Sequence, residues 1–455
     1  MRRVPRNSRL LGALPFLALV LHQVQFMVGK GKSVHVLLPS SETRYLADSK
    51  ESSTHRSAYK VLDSVENRRP SSPKLVPPIQ KSWWEDHVDL IAVTYKKWNG
   101  PKYGWCLHDD KDESPTNETS IIGLLYAKTF KTGSSTAAAL ALRISHKVGE
   151  RHLVNRSSDG LIGRPCKTFF QDEFMLQNGQ SRRRQPSLLW TVVRNPARHV
   201  QSAFNYFHMG LRGIESVPDE QMIDHFSGKK NVQVEQLMTL PGRSFYKAKK
   251  DSISNRMFTS PRILSTHLKR QIFDSYDFVA VLERWEESIA VMQLLLDLED
   301  EDMIILSSKS AGSWTWNLRE PQMNEVRHSS SQDAGCVFIP EPKRSSKVEQ
   351  YLSTNFTLEN ADFLLHAAAN RSLDLTINAI GRDRVEYQVN KLRKLQTLVE
   401  THCLDSTEFP CSLNGTLRSE SKLDCYWRDL GCGHTCVDTI LAQHKLGIPL
   451  MPPPR

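Results

Sequence analysis

The chain has 455 residues, 39% of them hydrophobic and 24% charged, with a formal net charge of +10. That hydrophobic content fills one large core, or one core with a small appendage, and excludes collagen-like, coiled-coil and fully disordered chains. The positive balance asks for an anionic partner, and composition leaves open whether this is nucleic acid, an anionic membrane, a nucleotide or a sulfated glycan.

In chain order, the first feature is Arg2, Arg3, Arg6 and Arg9 ahead of a largely apolar run, Leu10 to Val28, broken only by His22, Gln23 and Gln25. Basic-then-apolar order marks a secretory-pathway signal. No A-x-A-like cleavage site closes the run, so it reads as an uncleaved anchor, with a cleaved signal peptide as the alternative. Basic residues stay on the cytoplasmic side, which predicts a single-pass type II protein with the rest of the chain in the lumen. The Gly29-Lys30-Gly31-Lys32-Ser33 run has no strand before it and reads as the anchor's basic flank. Residues 1–30 are therefore assigned as tail and anchor, and 31–85, rich in Ser, Lys, Arg, Glu and Pro, as a flexible stem. Residues 86–400 form the main domain, and 401–455 a cysteine-rich segment.

Luminal exposure fits five N-x-[ST] sequons, at Asn117, Asn155, Asn355, Asn370 and Asn414. It also fits the crowding of Cys403, Cys411, Cys425, Cys432 and Cys436, five of the eight cysteines, near the end of the chain. In an oxidising lumen this is a small disulfide-tied subdomain. The alternative is zinc on Cys425, Cys432, His434 and Cys436, but no C-x-x-C knuckle supports it, and no metal is expected.

Within the main domain three strand-then-helix units follow one another. Ile121–Ala127 leads into a helix from Ser134 to Ile144; Ser187–Val193 leads into Ala197–Phe207; Asp277–Glu283 leads into Glu286–Leu298. Near-continuous apolar strands separated by helices predict an α/β fold with a parallel central sheet covered on both faces. In such sheets ligands bind beyond the carboxyl ends of the strands.

The first unit ends Lys128-Thr129-Phe130-Lys131-Thr132-Gly133-Ser134-Ser135-Thr136. A turn of lysine, glycine and hydroxyls between strand and helix is a phosphate cradle: N–H groups and the helix N-terminus face the anion. It is not a Walker A loop, because Lys131 precedes Gly133 instead of following it, which argues against ATP or GTP hydrolysis. An ordinary helix N-cap is the bland alternative. The second unit ends Val193-Arg194-Asn195-Pro196, with Ser202 two turns into the helix that Pro196 starts. Arg194 and Ser202 can together hold a second phosphate, or Arg194 can be a surface ion pair.

These residues carry a resemblance. Phe130 to Thr136 looks like the loop that binds the 5'-phosphosulfate in Golgi carbohydrate sulfotransferases, above all the galactose-3-O-sulfotransferase family, whose members read similarly to K-T-H-K-T-G-S-S-T. Arg194-Asn195-Pro196 with Ser202 resembles the same family's 3'-phosphate site, R-[DN]-P followed by a helical Ser. Glu283 and Glu287-Ser288 resemble its next strand and helix, and Ala361–Leu365 with Asn370–Leu373 its later helices. Cys425 to Cys436 resembles the cysteine-rich end of some relatives. The similarity spans about residues 120–440. It implies a P-loop-kinase-like three-layer fold and PAPS as sulfuryl donor, with a glycan or glycolipid acceptor modified at the 3-hydroxyl of galactose in the Golgi membrane.

Sulfuryl transfer needs the donor held in line, charge relieved on the transferring group and a base for the acceptor proton. Lys131 is the expected charge-relieving residue, with Thr132, Gly133, Ser134, Ser135 and Thr136 around the 5' side and Arg194 and Ser202 on the 3'-phosphate. Related enzymes carry a His or Glu between the two motifs, but no H-H or H-x-H pair precedes Ser187. The base is therefore unassigned among His146, His152 and Glu173 in that interval and His208 after the second helix. Arg182-Arg183-Arg184 is a solvated charge run or a contact for an anionic acceptor. Trp314 and Trp316 are core packing or a sugar-stacking surface. Other functions to be distinguished are a sulfotransferase for a non-sugar acceptor such as protein tyrosine, and a catalytically silent glycan-binding glycoprotein. The anchor and sequons oppose a nucleic-acid partner.

Overall fold

The computed structural model describes residues 84–100, 102–105, 123–156, 168–171, 187–238, 260–306, 311–318, 334–341, 343–358 and 360–450. These belong to a unit spanning Pro77–Arg455. The expected anchor, the expected stem up to residue 83, Arg182–Arg184 and Asn117 lie outside the described residues, whereas Glu85, at the end of that stem, already belongs to a helical turn, Glu85–His87. Among the described residues no helix is long and apolar enough to cross a membrane.

The centre is a four-stranded sheet in the order β2-β1-β3-β4. Its strands are β1 (Leu124–Ala127), β2 (Thr168–Gln171), β3 (Leu188–Val193) and β4 (Phe278–Val281). All three pairings are parallel: Leu124 faces Thr168 on one side and Leu188 on the other, and Trp190 faces Phe278. Every residue of β1, β3 and β4 is buried, so the sheet is covered on both faces, as near-continuous apolar strands require. Three of these strands were expected. The edge strand β2 was not, because Thr-Phe-Phe-Gln is a short run with little pattern of its own.

The helices that matter for the site are α1 (Ser134–Arg156), α2 (Pro196–Ala203), α3 (Val232–Leu237), α4 (Trp285–Leu296), α5 (Ala361–Ile380), α6 (Arg382–Cys403) and α7 (His434–Lys445). Helix α1 runs on well past Ile144. Helix α2 gives way at Phe204 to a wider π-type segment, Phe204–Met209. Both segments resembling the family's later helices lie on the single helix α5, which packs against β3 and β4.

The chain leaves β1 for β2 on one side and then crosses to β3 on the other. The carboxyl ends of β1 and β3 therefore flank a topological switch point, where an open α/β sheet leaves a crevice. One wall of that crevice comes from far along the chain: an antiparallel hairpin of β5 (Ser313–Leu318) and β6 (Ala334–Ile339).

The cysteine-rich end does not stand apart as a separate subdomain. Cys403–Cys436 ties the end of α6 to α7, and Cys425–Cys432 closes the hairpin of β7 (Cys425–Trp427) and β8 (Leu430–Cys432). Cys336–Cys411 reaches out to β6. The sulfurs of the alternative zinc set are thus held in disulfides. Leu430, Val437, Ile440 and Leu441 from this segment sit in the same core as the central sheet. Of the sequons, Asn355 and Asn414 are exposed, whereas Asn370 lies within α5 and donates from its amide to the His366 carbonyl at 2.9 Å.

Candidate functional site

The loop after β1 is held from three directions. Thr129 Oγ1 donates to the Val192 carbonyl on β3 at 2.7 Å and lies 2.6 Å from Thr132 Oγ1. The Phe130 N–H donates to Gln236 Oε1 at 3.0 Å, and His199 Nε2–H donates to the Phe130 carbonyl at 2.8 Å. From β3, the Arg194 guanidinium donates to the Lys131 carbonyl at 3.0 Å. These ties hold Lys131 at φ 58°, a left-handed conformation that costs a non-glycine residue about 1–2 kcal/mol. Gly133 follows at φ 74°, and a Cβ there would stand 2.6 Å from Leu282 Cδ1. A side chain there would have to push Leu282 aside and hold a strained backbone. Helix α1 begins with the Ala137 N–H bonded to the Gly133 carbonyl at 3.0 Å, so its free N–H groups face the crevice.

Arg194 is fixed by its backbone. Its N–H donates to Gln233 Oε1 and its carbonyl accepts from Gln233 Nε2, both at 2.8 Å. Gln233 in turn sits at the start of α3, where the N–H groups of Gln233 and Val234 donate to Asp362 at 3.1 and 2.8 Å. Burial pushes the Asp362 carboxyl up to about 7, and these N–H bonds oppose the shift only in part. Asn195 caps α2, its side chain accepting from the N–H groups of Ala197 and Arg198. Its own N–H points to the Glu283 carboxylate at 3.0 Å. In the Arg-Asn-Pro motif, asparagine and proline therefore start the helix and arginine faces the ligand space.

The two motifs meet in one cleft of about 430 Å³, lined by Lys131, Gly133, Ser134, Ser135 and Thr136 from the first and Arg194 and Ser202 from the second. Thr132 is the exception among the expected residues: its side chain is buried and bonded within the loop, so only its backbone can face a ligand. The cleft also takes residues that motif reading missed. Arg198, Gln201, Asn205 and Tyr206 join Ser202 at helical spacing along one face of α2 and its continuation, a pattern visible in the sequence once Ser202 is placed. Thr315, Ile339 and Arg344 come from the β5–β6 hairpin and the chain after it, and nothing local in the sequence ties them to the loop.

The electrostatics are one-sided. Lys131, Arg194, Arg198 and Arg344 line the cleft, and among the described residues no carboxylate does. Burial, together with the charges of Arg198 and Arg344, pushes the Arg194 guanidinium below its ordinary value, although Glu283 opposes this. Three buried polar atoms on the cleft walls, Arg194 Nε, Gln201 Nε2 and Thr315 Oγ1, have no hydrogen-bond partner among the described residues. Buried donors left this way cost about 1–3 kcal/mol each, and an anion rich in acceptor oxygens would satisfy them. Beyond Thr136 and Leu282, which it shares with the cleft, lies a mostly apolar pocket of about 380 Å³ walled by Trp285, Ile289, Ile304 and Leu392, with Glu286, Arg393, Gln396 and Glu400 also on its lining.

Of the expected bases, His146 and His208 do not line the cleft. His146 lies twelve residues into α1, about 18 Å along it. It stacks on Tyr426 at 4.5 Å, and burial lowers its pKa. His208 stacks on Phe204 at 4.7 Å and is not part of the cleft wall. His152 is on α1 but its side chain is outside the described residues, as is Glu173. Trp314 and Trp316 flank Thr315 on β5 and so point to the opposite face of the hairpin. There Trp314 packs edge-on to Phe338 at 5.6 Å and against the Gly415 turn, which is the packing alternative for that residue. Comparison of the chain with protein-family models, curated proteins and solved structures gave no match.

Proposed function

We propose that this protein is a PAPS-dependent sulfotransferase, moving a sulfuryl group to a hydroxyl of a glycan or glycolipid, with the 3-hydroxyl of galactose as the first acceptor to test. The observation that carries the reading is the meeting of two anion-binding motifs, at the ends of neighbouring parallel strands, in one cation-lined cleft with unsatisfied donors. A nucleotide with phosphate at both 5' and 3' positions suits two such motifs, and its planar base suits the adjoining apolar pocket beside Trp285. In this reading the fold is of the P-loop-kinase type and the catalytic part works in the Golgi lumen behind a type II anchor.

The chain's own residues supply the steps. The α1 N-terminus with Ser134, Ser135 and Thr136 holds the 5' phosphosulfate, and Arg194 with Ser202 holds the 3'-phosphate. Lys131 faces the bond that breaks, where charge builds on the leaving phosphate as sulfur passes to the acceptor oxygen. Transfer of labelled sulfate from PAPS to a panel of galactosides, glycosaminoglycans and a tyrosine peptide tests the reading, beside Lys131→Ala and Arg194→Ala. Transfer to a galactoside, reduced at least a hundredfold by each substitution, supports it. A folded protein that neither binds PAPS nor transfers sulfate would sink it.

A further inference from the structure

The Lys131 ammonium nitrogen rests 3.9 Å from the centre of the Tyr206 ring. Tyr206 belongs to the π-type segment that continues α2, a kind of widened turn that recurs at functional sites. Asn205 and Tyr206 follow Gln201 and Ser202 by four residues on the same cleft wall. Phe207 stands edge-on to Tyr206 at 5.0 Å and to Phe130 at 6.2 Å. The ring that receives the ammonium is thereby braced against the loop that carries the lysine. The phenol, pushed up to about 12 by burial and by the Asp429 charge, stays neutral, so the ring's π face is what meets the cation.

We infer that Tyr206 is a positioning residue for Lys131, its ring face fixing the ammonium in the cleft. The inference rests on the role proposed for Lys131. A lysine side chain has many rotamers, and holding one of them before the donor arrives removes an entropic cost from the reaction step. An aromatic face does this selectively for a cation, while an aliphatic side chain of similar bulk fills the space without attracting the charge. The effect belongs to turnover more than to nucleotide affinity, because the phosphates are held by other groups.

The test compares wild type with Tyr206→Phe, which keeps the face, and Tyr206→Leu, which removes it; Tyr206→Met serves if the Leu variant does not fold. Calorimetry gives the affinity for PAP, which has both phosphates and lacks the sulfuryl group. Turnover is read as labelled sulfate passed from PAPS to methyl β-galactoside and, with the galactoside left out, to water. We expect PAP affinity within about twofold in all three proteins, turnover near wild type in the Phe variant, and a loss of about five- to thirtyfold in the ring-less one. Equal turnover in the Phe and ring-less variants, a Phe variant that loses as much, or a fall in PAP affinity matching the fall in turnover overturns the assignment and leaves the proposed function standing. Wild type that binds no PAP, or binds it and passes sulfate neither to the galactoside nor to water, removes the role of Lys131 and the assignment with it.

Discussion

His199 shows how a single residue behind the site ties loop geometry to pH. It is 3% exposed, donates to the Phe130 carbonyl, and has its pKa pushed down to about 4, mainly by burial and further by Arg194 and Lys131. The folded value lies below the unfolded one of about 6.5, so the unfolded chain binds the proton first as pH falls. The stability from keeping this ring neutral is fully present above about pH 6.5 and is lost on acidification towards pH 4. The loss reaches about 2 kcal/mol at pH 5. His199→Gln can still donate to Phe130 but does not titrate. Unfolding free energies from urea titrations at pH 7 and pH 5 should therefore differ less in the variant, by about that amount. Asp362, pushed up to about 7, has the opposite slope, its contribution falling as pH rises from about 4 to 7. It is common to both proteins and cancels in the difference. A difference near zero would mean that the ring is protonated, or solvated, in the folded protein.

At the scale of elements, the first turn of α1 and the start of α2 were legible because their chemistry is local. A lysine and a glycine between a strand and a helix, or an arginine before Asn-Pro, mark a strand-to-helix turn on their own, even though distant partners such as Gln236 and Gln233 hold it. Lys131, Gly133, Ser134, Ser135, Thr136, Arg194 and Ser202 accordingly all line the cleft. The β5–β6 wall was not legible, because Thr315, Ile339 and Arg344 reach the loop only through tertiary packing. Nor was the inward turn of Thr132, which depends on a partner three residues back. Two predictions belong here. Gly133→Ala places a methyl group 2.6 Å from Leu282 Cδ1 at φ 74° and should destabilise the loop by about 1–3 kcal/mol, with PAP affinity falling at least tenfold by calorimetry. Unchanged affinity would show that the loop does not meet the ligand. Replacing Cys336 and Cys411 together by serine frees β6 from the Gly415 turn, and should cost about 2–4 kcal/mol in thermal unfolding and weaken PAP binding through the loosened wall. The same pair of substitutions at Cys425 and Cys432, which close a turn with a sequence separation of 7, should leave PAP affinity unchanged.

For the molecule as a whole, the end of the chain completes the core that supports the loop after β1. Arg143 on α1 is 1% exposed in its side chain and paired with Asp438 on α7 at 2.7 Å. It also donates to the Glu301 carbonyl at 2.7 Å and to the Tyr426 hydroxyl at 3.3 Å. The helix whose first turn faces the cleft is thus held further along by β7 and α7. Lys147, also on α1, reaches the other oxygen of Asp438 at 3.2 Å. Asp438→Ala leaves the Arg143 guanidinium buried without its counter-charge, and because Asp438 is itself 30% exposed the expected cost is about 2–4 kcal/mol. A chain ending at residue 400 should fare worse. It loses Leu430, Val437, Ile440 and Leu441 from the main core, each worth about 1.5–3 kcal/mol of burial. The sum approaches the whole stability of about 5–15 kcal/mol that a domain possesses. Residues 86–400 should therefore show no cooperative thermal transition, while 86–450 melts as one unit and Asp438→Ala melts early. A cooperative melt of 86–400 at the temperature of the longer chain would mean that the cysteine-rich segment is an independent appendage after all.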